Sequence, residues 1–399
     1  MAEPATPRAY LAVAGLVCVL ALAAAAAVNA VVDPYDTIRL VDLPGWTERK
    51  PVDPIGGGRA ILSLRLGRGD HRGVIAGTSR ALLGFARRDP VVVENGLVNA
   101  ALAGTSIRET AAVLNFAAEH GDVELAIVGL DFIAFRRDKG FGGDYAESGF
   151  AGRPLWRIQL ERLVSGETLV ESFQTVRASR AGDGSPRGLP TLMTGETRNR
   201  FTKNLLAYAR KHYACFEYDP TGLAELGRAI DALAARGARV LLFFSPVHAT
   251  QLDALRAARL SVPYRQWRTD VVRAVATARD ALPPGERERI QLWDFTGYGR
   301  YTTQSISDGR ASRWHFESSH FRPALGALVL KRLLGDPDAP TDFGVRIDPE
   351  TFDAHARRQA AEHVPWARKN RDDAKLVRRI FRSTEAERAE MCGARADAG

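Results

Sequence analysis

The chain is 399 residues long, 45% hydrophobic and 26% charged, with a formal charge of +8 at pH 7. That length allows one to three domains, and that balance excludes a wholly disordered chain. The positive charge is carried mostly by Arg scattered through every predicted element, not gathered on one face as a nucleic-acid footprint would be, so no nucleic-acid partner is expected.

From Tyr10 to Val32 the chain carries no charged residue and is mostly Ala, Val and Leu. About 20 such residues cross a bilayer as one helix. Arg8 precedes the run, and Asp33 and Asp36 follow it, a polarity that leaves the rest of the chain outside the cytoplasm. The expectation for 1–32 is a single-pass inner-membrane anchor with the folded part in the periplasm. A secretory signal cut after Ala30 is the alternative, with Val28 and Ala30 as its small residues. The run exceeds the roughly 7–15 apolar residues of such a signal, which favours the anchor. Segment 33–69 is rich in Pro, Gly and charge, with Gly56-Gly57-Gly58 as a turn, and is predicted as an irregular stalk or lead-in.

An α/β rhythm then occupies 70–335. A short apolar run at 73–77 leads through Thr78-Ser79 into an amphipathic stretch at 81–86. A second strand is predicted at 97–102, a helix at 107–120, and a strand at 125–130 whose unbroken apolar run suits burial on both faces. Segment 136–200 is rich in Gly, Arg and Ser and is predicted as an insertion or cap, with helices near 155–163 and 169–178 and a mobile stretch at 181–196. The rhythm resumes with a helix at 222–236, a strand at 239–245 ended by Pro246, a helix at 264–281, a strand at 290–295 and a helix at 324–334. Segment 336–399 is highly charged and is predicted as external helices. Strands alternating with helices argue for an α/β fold, a three-layer sandwich around a mainly parallel sheet. Ligands of such sheets bind at the carboxyl ends of the strands. Ser79, Asp131, Ser245, Asp294 and His320 should therefore converge on one rim.

Ser79 follows a buried strand and opens a helix, where free backbone N–H groups can hold an oxyanion; an ordinary N-cap is the plainer reading. In Phe316-Glu317-Ser318-Ser319-His320-Phe321 a carboxylate stands three residues before a histidine. It can orient the imidazole and stabilise the imidazolium formed when that base activates a hydroxyl. His315 and His320 lack the i, i+4 spacing of a helical His-Glu-x-x-His zinc site, so no metal and no cofactor are expected. Cys18 lies in the apolar run. Cys215 and Cys392 fall in a compartment where a bridge is allowed, although nothing in the sequence pairs them.

Gly77-Thr78-Ser79 and Glu317-Ser318-Ser319-His320 resemble the first and last blocks of SGNH hydrolases, whose usual forms are Gly-Asp-Ser and Asp-x-x-His. Between them, Ala103-Gly104-Thr105-Ser106 resembles the glycine block that adds an oxyanion donor, and Gly129-Leu130-Asp131 stands where Gly-x-Asn is usual. The Gly-Thr-Ser-Arg and Ser-Pro-x-His segments of this chain are similar to those of anchored envelope proteins related to alginate O-acetylation factors and DltD-like proteins. The resemblance implies a flavodoxin-like sandwich and a serine O-acyltransferase or esterase acting on a cell-envelope or exported polysaccharide. It implies Ser79 as nucleophile, His320 as base and Glu317 as its orienting group, with a membrane-bound O-acyltransferase as partner in the transferase case. A non-catalytic glycan-binding or scaffold subunit is the alternative. Three departures stand out: Thr78 for Asp, Glu317 for Asp, and Asp131 for Asn. An ionised Asp donates no hydrogen bond, so Asn99 or Arg80 is expected to supply the missing donor. Arg80 is alternatively a substrate-anion ligand or an ion-pair partner of Asp131, His248 is a candidate substrate contact, and Asp294 is a second candidate partner for His320. Trp293 reads as core, and Trp314 as core or a sugar-stacking ring.

Overall fold

The computed structural model describes residues 7–50, 58–87, 89–181, 195–308 and 310–397. Gly56-Gly57, and all but the ends of the stretch expected to be mobile at 181–196, lie outside them. Two compact units result, Met1–Arg68 with Gly143–Leu189, and Gly69–Gly142 with Pro190–Gly399. The helices are α1 (Pro7–Val32), α2 (Gly58–Gly67), α3 (Ser79–Gly84), α4 (Pro90–Glu94), α5 (Ile107–His120), α6 (Leu155–Leu163), α7 (Gly166–Ala181) and α8 (Thr197–Ala207). They continue as α9 (Gly222–Ala235), α10 (Ala249–Ala257), α11 (Ser261–Asp280), α12 (Pro323–Leu334), α13 (Pro349–Lys369), α14 (Arg371–Ser383) and α15 (Glu385–Asp397).

In the first unit, α1 is long and apolar enough to span a membrane. Near its end the buried Asn29 donates to Leu163 O at 2.8 Å and accepts from Ser172 Oγ at 2.9 Å, which fastens α1 to α6 and α7. The chain after it is not the irregular stalk expected. Asp33 accepts from the N–H groups of Thr37, Ile38 and Arg39 at 2.8, 3.0 and 2.9 Å, which closes a turn, and α2 buries Ala60 through Leu66. Ala60 and Leu64 pack with Ile158 of α6. Segment 33–69 is thus mostly folded with 143–189, and the predicted insertion is divided between the units. The charge-rich flanks hid this because α2 is short, with Ser63 and Arg65 among the seven consecutive residues it buries.

The second unit is α/β, built on strands β1 (Gly73–Ala76), β2 (Leu97–Asn99), β3 (Leu125–Leu130), β4 (Arg239–Phe244), β5 (Ile290–Asp294) and β6 (Val345–Arg346). The sheet order is β2-β1-β3-β4-β5-β6. All neighbours are parallel except β6, which runs antiparallel to β5; two residues are too few to show in a hydrophobic pattern. β1 and β3 are buried throughout, as strands covered on both faces must be. Ile75, Ile127, Leu241 and Phe243 form a cluster with Phe85, Phe321, Leu325 and Val329. The alternating Val74, Ala126, Val128, Val240 and Leu242 are equally buried, because successive strand side chains point to opposite faces. Trp293 and Trp314 are half-buried against that cluster, and Trp314 packs edge-on against Tyr301 at 5.1 Å.

Two glycines set the close approach of α3 and α12. A Cβ at Gly326 would lie 1.9 Å from Gly84 O, and one at Gly84 would strike the Phe321 ring. The first residues after Ser79 are thereby docked against the helix that follows His320. After β6 the C-terminal segment forms α13, α14 and α15, and a disulfide joins Cys392 to Cys215.

Candidate active site

Ser79 is placed by the turn that leaves β1. Gly77 has φ +144°, and a Cβ there would sit 2.9 Å from Gly129 O on β3, so only glycine ends the strand this close to its neighbour. Thr78 then caps α3, its Oγ1 accepting from Arg80 N at 3.3 Å. The Ser79 side chain is half-buried, and its Oγ lies 2.8 Å from His320 Nε2.

His320 is held by a closed turn. His315 and Phe321 pair as an antiparallel bridge, Phe316 N donates to His320 O at 2.9 Å, and Arg322 N donates to Trp314 O at 2.8 Å. Inside the turn, the buried Glu317 accepts from Ser319 N at 2.8 Å and from His320 N at 3.0 Å. Its Oε1 also contacts His320 Nδ1. A carboxylate accepts only, so this pattern selects the tautomer with the proton on Nδ1 and turns the Nε2 lone pair toward the Ser79 hydroxyl. The His320 side chain is 15% exposed against 1% for Glu317. The imidazole is therefore reachable from solvent while the carboxylate is not.

The turn is gripped from outside by residues of which only His248 stood in a motif. Arg200 on α8 donates to Phe316 O at 2.8 Å. Ser318 Oγ sits 2.6 Å from Asn204 Oδ1 and 2.7 Å from Gln251 Oε1, and His248 N donates to Ser318 O at 3.0 Å. Gln251 in turn donates to Tyr213 OH at 2.6 Å. The loop that carries the base is thus tied to α8 and to the start of α10, elements more than 60 residues away in sequence.

Several expected site residues are otherwise engaged. Asp131 is fully buried and paired with Arg80 Nη1 at 2.7 Å, and it also accepts from the Thr78 hydroxyl. Arg80 continues to Tyr208 OH at 3.3 Å. Burial works against the Arg80 charge, but Asp131 prevails and lifts its pKa above the ordinary arginine range. Both side chains are buried next to the serine turn. The Asn99 amide donates to Ala81 O, Leu82 O and Phe85 O at 3.1, 3.2 and 2.9 Å. It closes the end of α3 and is no oxyanion donor. His248 is wholly buried, with Nδ1 2.9 Å from Thr250 Oγ1 and Nε2 2.7 Å from Gln304 O. Burial pushes its pKa down to about 4, so it braces the loop as a neutral ring instead of meeting substrate. Asp294 is held by His355 at 2.8 Å, by Thr296 N at 2.8 Å and by Arg268, not by His320. Burial disfavours its ionisation, yet Arg268 and His355 prevail and hold it at about 2.

Gly104 keeps its candidacy. It lies in an exposed turn at φ +68°, with open space where a Cβ would be, and Leu102 N donates to Gly77 O at 3.0 Å, which runs this loop beside the serine turn. Two titratable groups that sequence reading missed stand near the same rim. Lys139 lies among the charges of Asp131, Arg80, Glu109 and Arg136, and burial lowers its pKa to about 8. The His212 ring lies tilted against the Tyr208 ring at 4.8 Å; the protein crowding it, with Lys139, Arg136 and His320 nearby, lowers it to about 4. Neither belongs to a recognisable pattern, because their proximity is created by the π-helical turn Tyr208–His212 and by the loop after β3. Among the described residues no group of three or more His, Cys, Asp or Glu could hold a metal ion. No protein-family model matches the chain, and no curated protein matches it.

Proposed function

We propose that this chain is a membrane-tethered serine acyl-transfer enzyme of the SGNH-hydrolase type, acting on an acyl ester of a cell-envelope or exported polysaccharide. One observation carries the reading: Ser79 Oγ stands 2.8 Å from His320 Nε2 while the opposite ring nitrogen meets Glu317. A general base must lie within hydrogen-bond reach of the proton it takes, and its own partner must fix its tautomer.

In the proposed cycle His320 Nε2 removes the Ser79 proton as Oγ attacks the ester carbonyl. The bond to the leaving alcohol then breaks as the imidazolium returns that proton to it, leaving an acyl ester on Ser79. A sugar hydroxyl or water next gives its proton to His320, attacks the acyl-serine and regenerates the free hydroxyl. Glu317 stabilises the imidazolium in both halves. The oxyanion falls to the backbone N–H groups of Ser79 and Gly104, since Asp131 and Asn99 are occupied elsewhere. In the transferase case the donor would be supplied by a membrane-bound O-acyltransferase.

The Cys215–Cys392 disulfide supports an oxidising compartment. With Arg8 before α1 and Asp33 after it, it supports a periplasmic domain on an inner-membrane anchor. A scaffold or glycan-binding subunit is the second reading, favoured by the Asp131–Arg80 pair standing where a third oxyanion donor would be. Treating the full chain with a fluorophosphonate tests the two. The enzyme reading expects one adduct, lost in Ser79→Ala and nearly lost in His320→Ala. An unlabelled wild-type chain, or labelling unchanged in Ser79→Ala, would reject it.

A further inference from the structure

The C-terminal helices enclose a second concave site, in the same unit but with no residue in common with the Ser79 constellation. A cavity of about 430 Å³ is bounded by the end of α10, the outer face of α14 and the facing side of α15. That volume is in the range of small-ligand sites. Its wall is unusually charged: Arg259, Arg378, Arg382 and Arg388 face it together with Glu385.

That carboxylate is already engaged, by Arg259 at 3.4 Å. Among the described residues, Arg378, Arg382 and Arg388 make no ion pair and no side-chain hydrogen bond. Arg378 and Arg382 lie four residues apart on α14, so they occupy one face and repel. Arg388 is the most telling of them. Its guanidinium lies over the Phe381 ring at 5.6 Å, its Nε is shut off from solvent, and that nitrogen has no acceptor. A buried donor without a partner is costly, and arginines on an open surface avoid the cost by reaching into water. Burial lowers the Arg388 pKa; the nearby Glu385 carboxylate works against this and Arg259 works with it, and the net shift is downward.

The wall is also fixed in place. Cys392 lines the cavity and is bonded to Cys215, while Glu387 of α15 pairs with Arg210 at 3.0 Å. α15 is therefore held against the rest of the unit despite the like charges across the gap.

We infer that this cavity is an anion-binding site whose ligand carries a phosphate-type oxyanion. A doubly charged group with three or four oxygens offers each guanidinium an acceptor in its own plane. It would replace mutual repulsion with shared attraction. A single carboxylate has two oxygens and leaves one arginine unserved. The site goes beyond the acyl-transfer reading and does not depend on it.

The test is calorimetric titration of the full chain in neutral detergent with inorganic phosphate, against acetate at matched ionic strength. Wild type and Ser79→Ala should bind phosphate saturably and equally. Arg378→Ala and Arg382→Ala should each weaken binding about ten-fold or more, the worth of one charge-assisted hydrogen bond. Both positions are solvent-exposed, so these variants fold. Arg228→Ala, an exposed arginine on α9, should bind as wild type does. Glycerol phosphate and a hexose phosphate, run as competitors, separate a lipid-headgroup source from a sugar source, and tighter binding of either than of inorganic phosphate supports the site. Heats with phosphate no larger than with acetate, or an Arg228→Ala loss as great as that of Arg378→Ala, would overturn the inference.

Discussion

Replacing Glu317 by Gln alters charge and donor pattern with almost no change of size. The carboxylate accepts from Ser319 N at 2.8 Å, from His320 N at 3.0 Å and from the ring Nδ1–H. An amide offers one accepting oxygen and one donating NH2. With its oxygen toward His320, the amide nitrogen confronts the Ser319 N–H, donor against donor, and the negative charge that stabilises the imidazolium is gone. The loss of a charged hydrogen bond amounts to about 1.5–3 kcal/mol, or roughly 10- to 100-fold in rate. With the amide reversed, its NH2 meets Nδ1 and forces the ring proton onto Nε2, where the ring no longer accepts the Ser79 proton. Amide replacement of the orienting acid in a Ser-His-Asp triad costs ~10⁴-fold by this tautomer effect, so a loss of about 10- to 10⁴-fold brackets the expectation. The assay is the second-order rate of fluorophosphonate labelling at pH 7, with circular dichroism confirming that the variant is folded. A folded Glu317→Gln chain that labels within about three-fold of wild type would refute the reasoning, since no oriented base would then be needed.

Other outcomes follow from the same geometry. Burial lowers His248 to about 4, and burial with the neighbouring His248 holds His315 well below the ordinary histidine value. The unfolded chain therefore takes up protons first between pH 6.5 and 4, and stability that is full above pH 6.5 is lost as pH falls through that window. His248 alone accounts for about 3 kcal/mol; equal urea midpoints at pH 7 and pH 4.5 would contradict this. Asp131→Ala strands Arg80 in the interior and should cost about 3–5 kcal/mol in denaturant unfolding, whereas an unchanged midpoint would mean that the pair is dispensable. Gly326→Ala drives a methyl against the Gly84 carbonyl and should cost about 1–3 kcal/mol while slowing labelling of Ser79, both read on one sample; a melting temperature equal to wild type would show that α3 and α12 separate freely. Cys215→Ser should lower stability by about 2–4 kcal/mol, and no loss on thermal unfolding would mean that α15 docks without its bridge.

The local elements were legible because each carried its own signal. Residues 107–120 and 125–130 were predicted at the bounds found, the first from helical spacing of apolar residues and the second from an unbroken apolar run. Ser79, His320 and Glu317 could be nominated from strand-end position and short spacing alone. The helix α2 was hidden by the charge around it, and the two-residue β6 had no pattern to show.

What the chain's order of residues determined, then, was a membrane-length apolar helix, an α/β alternation, and a serine and a histidine at opposite ends of it. Local sequence suffices for these, because a helix or a strand is fixed by neighbours within a few residues. Only the tertiary structure decided that Ser79 and His320, 241 positions apart, share a hydrogen bond. It likewise decided that the side chains of Arg80, Asn99 and His248 take their partners within the protein. Those assignments depend on which donors and acceptors fold into reach of one another. Most buried polar groups take a partner from wherever the chain brings one, and spacing along the sequence does not encode that choice.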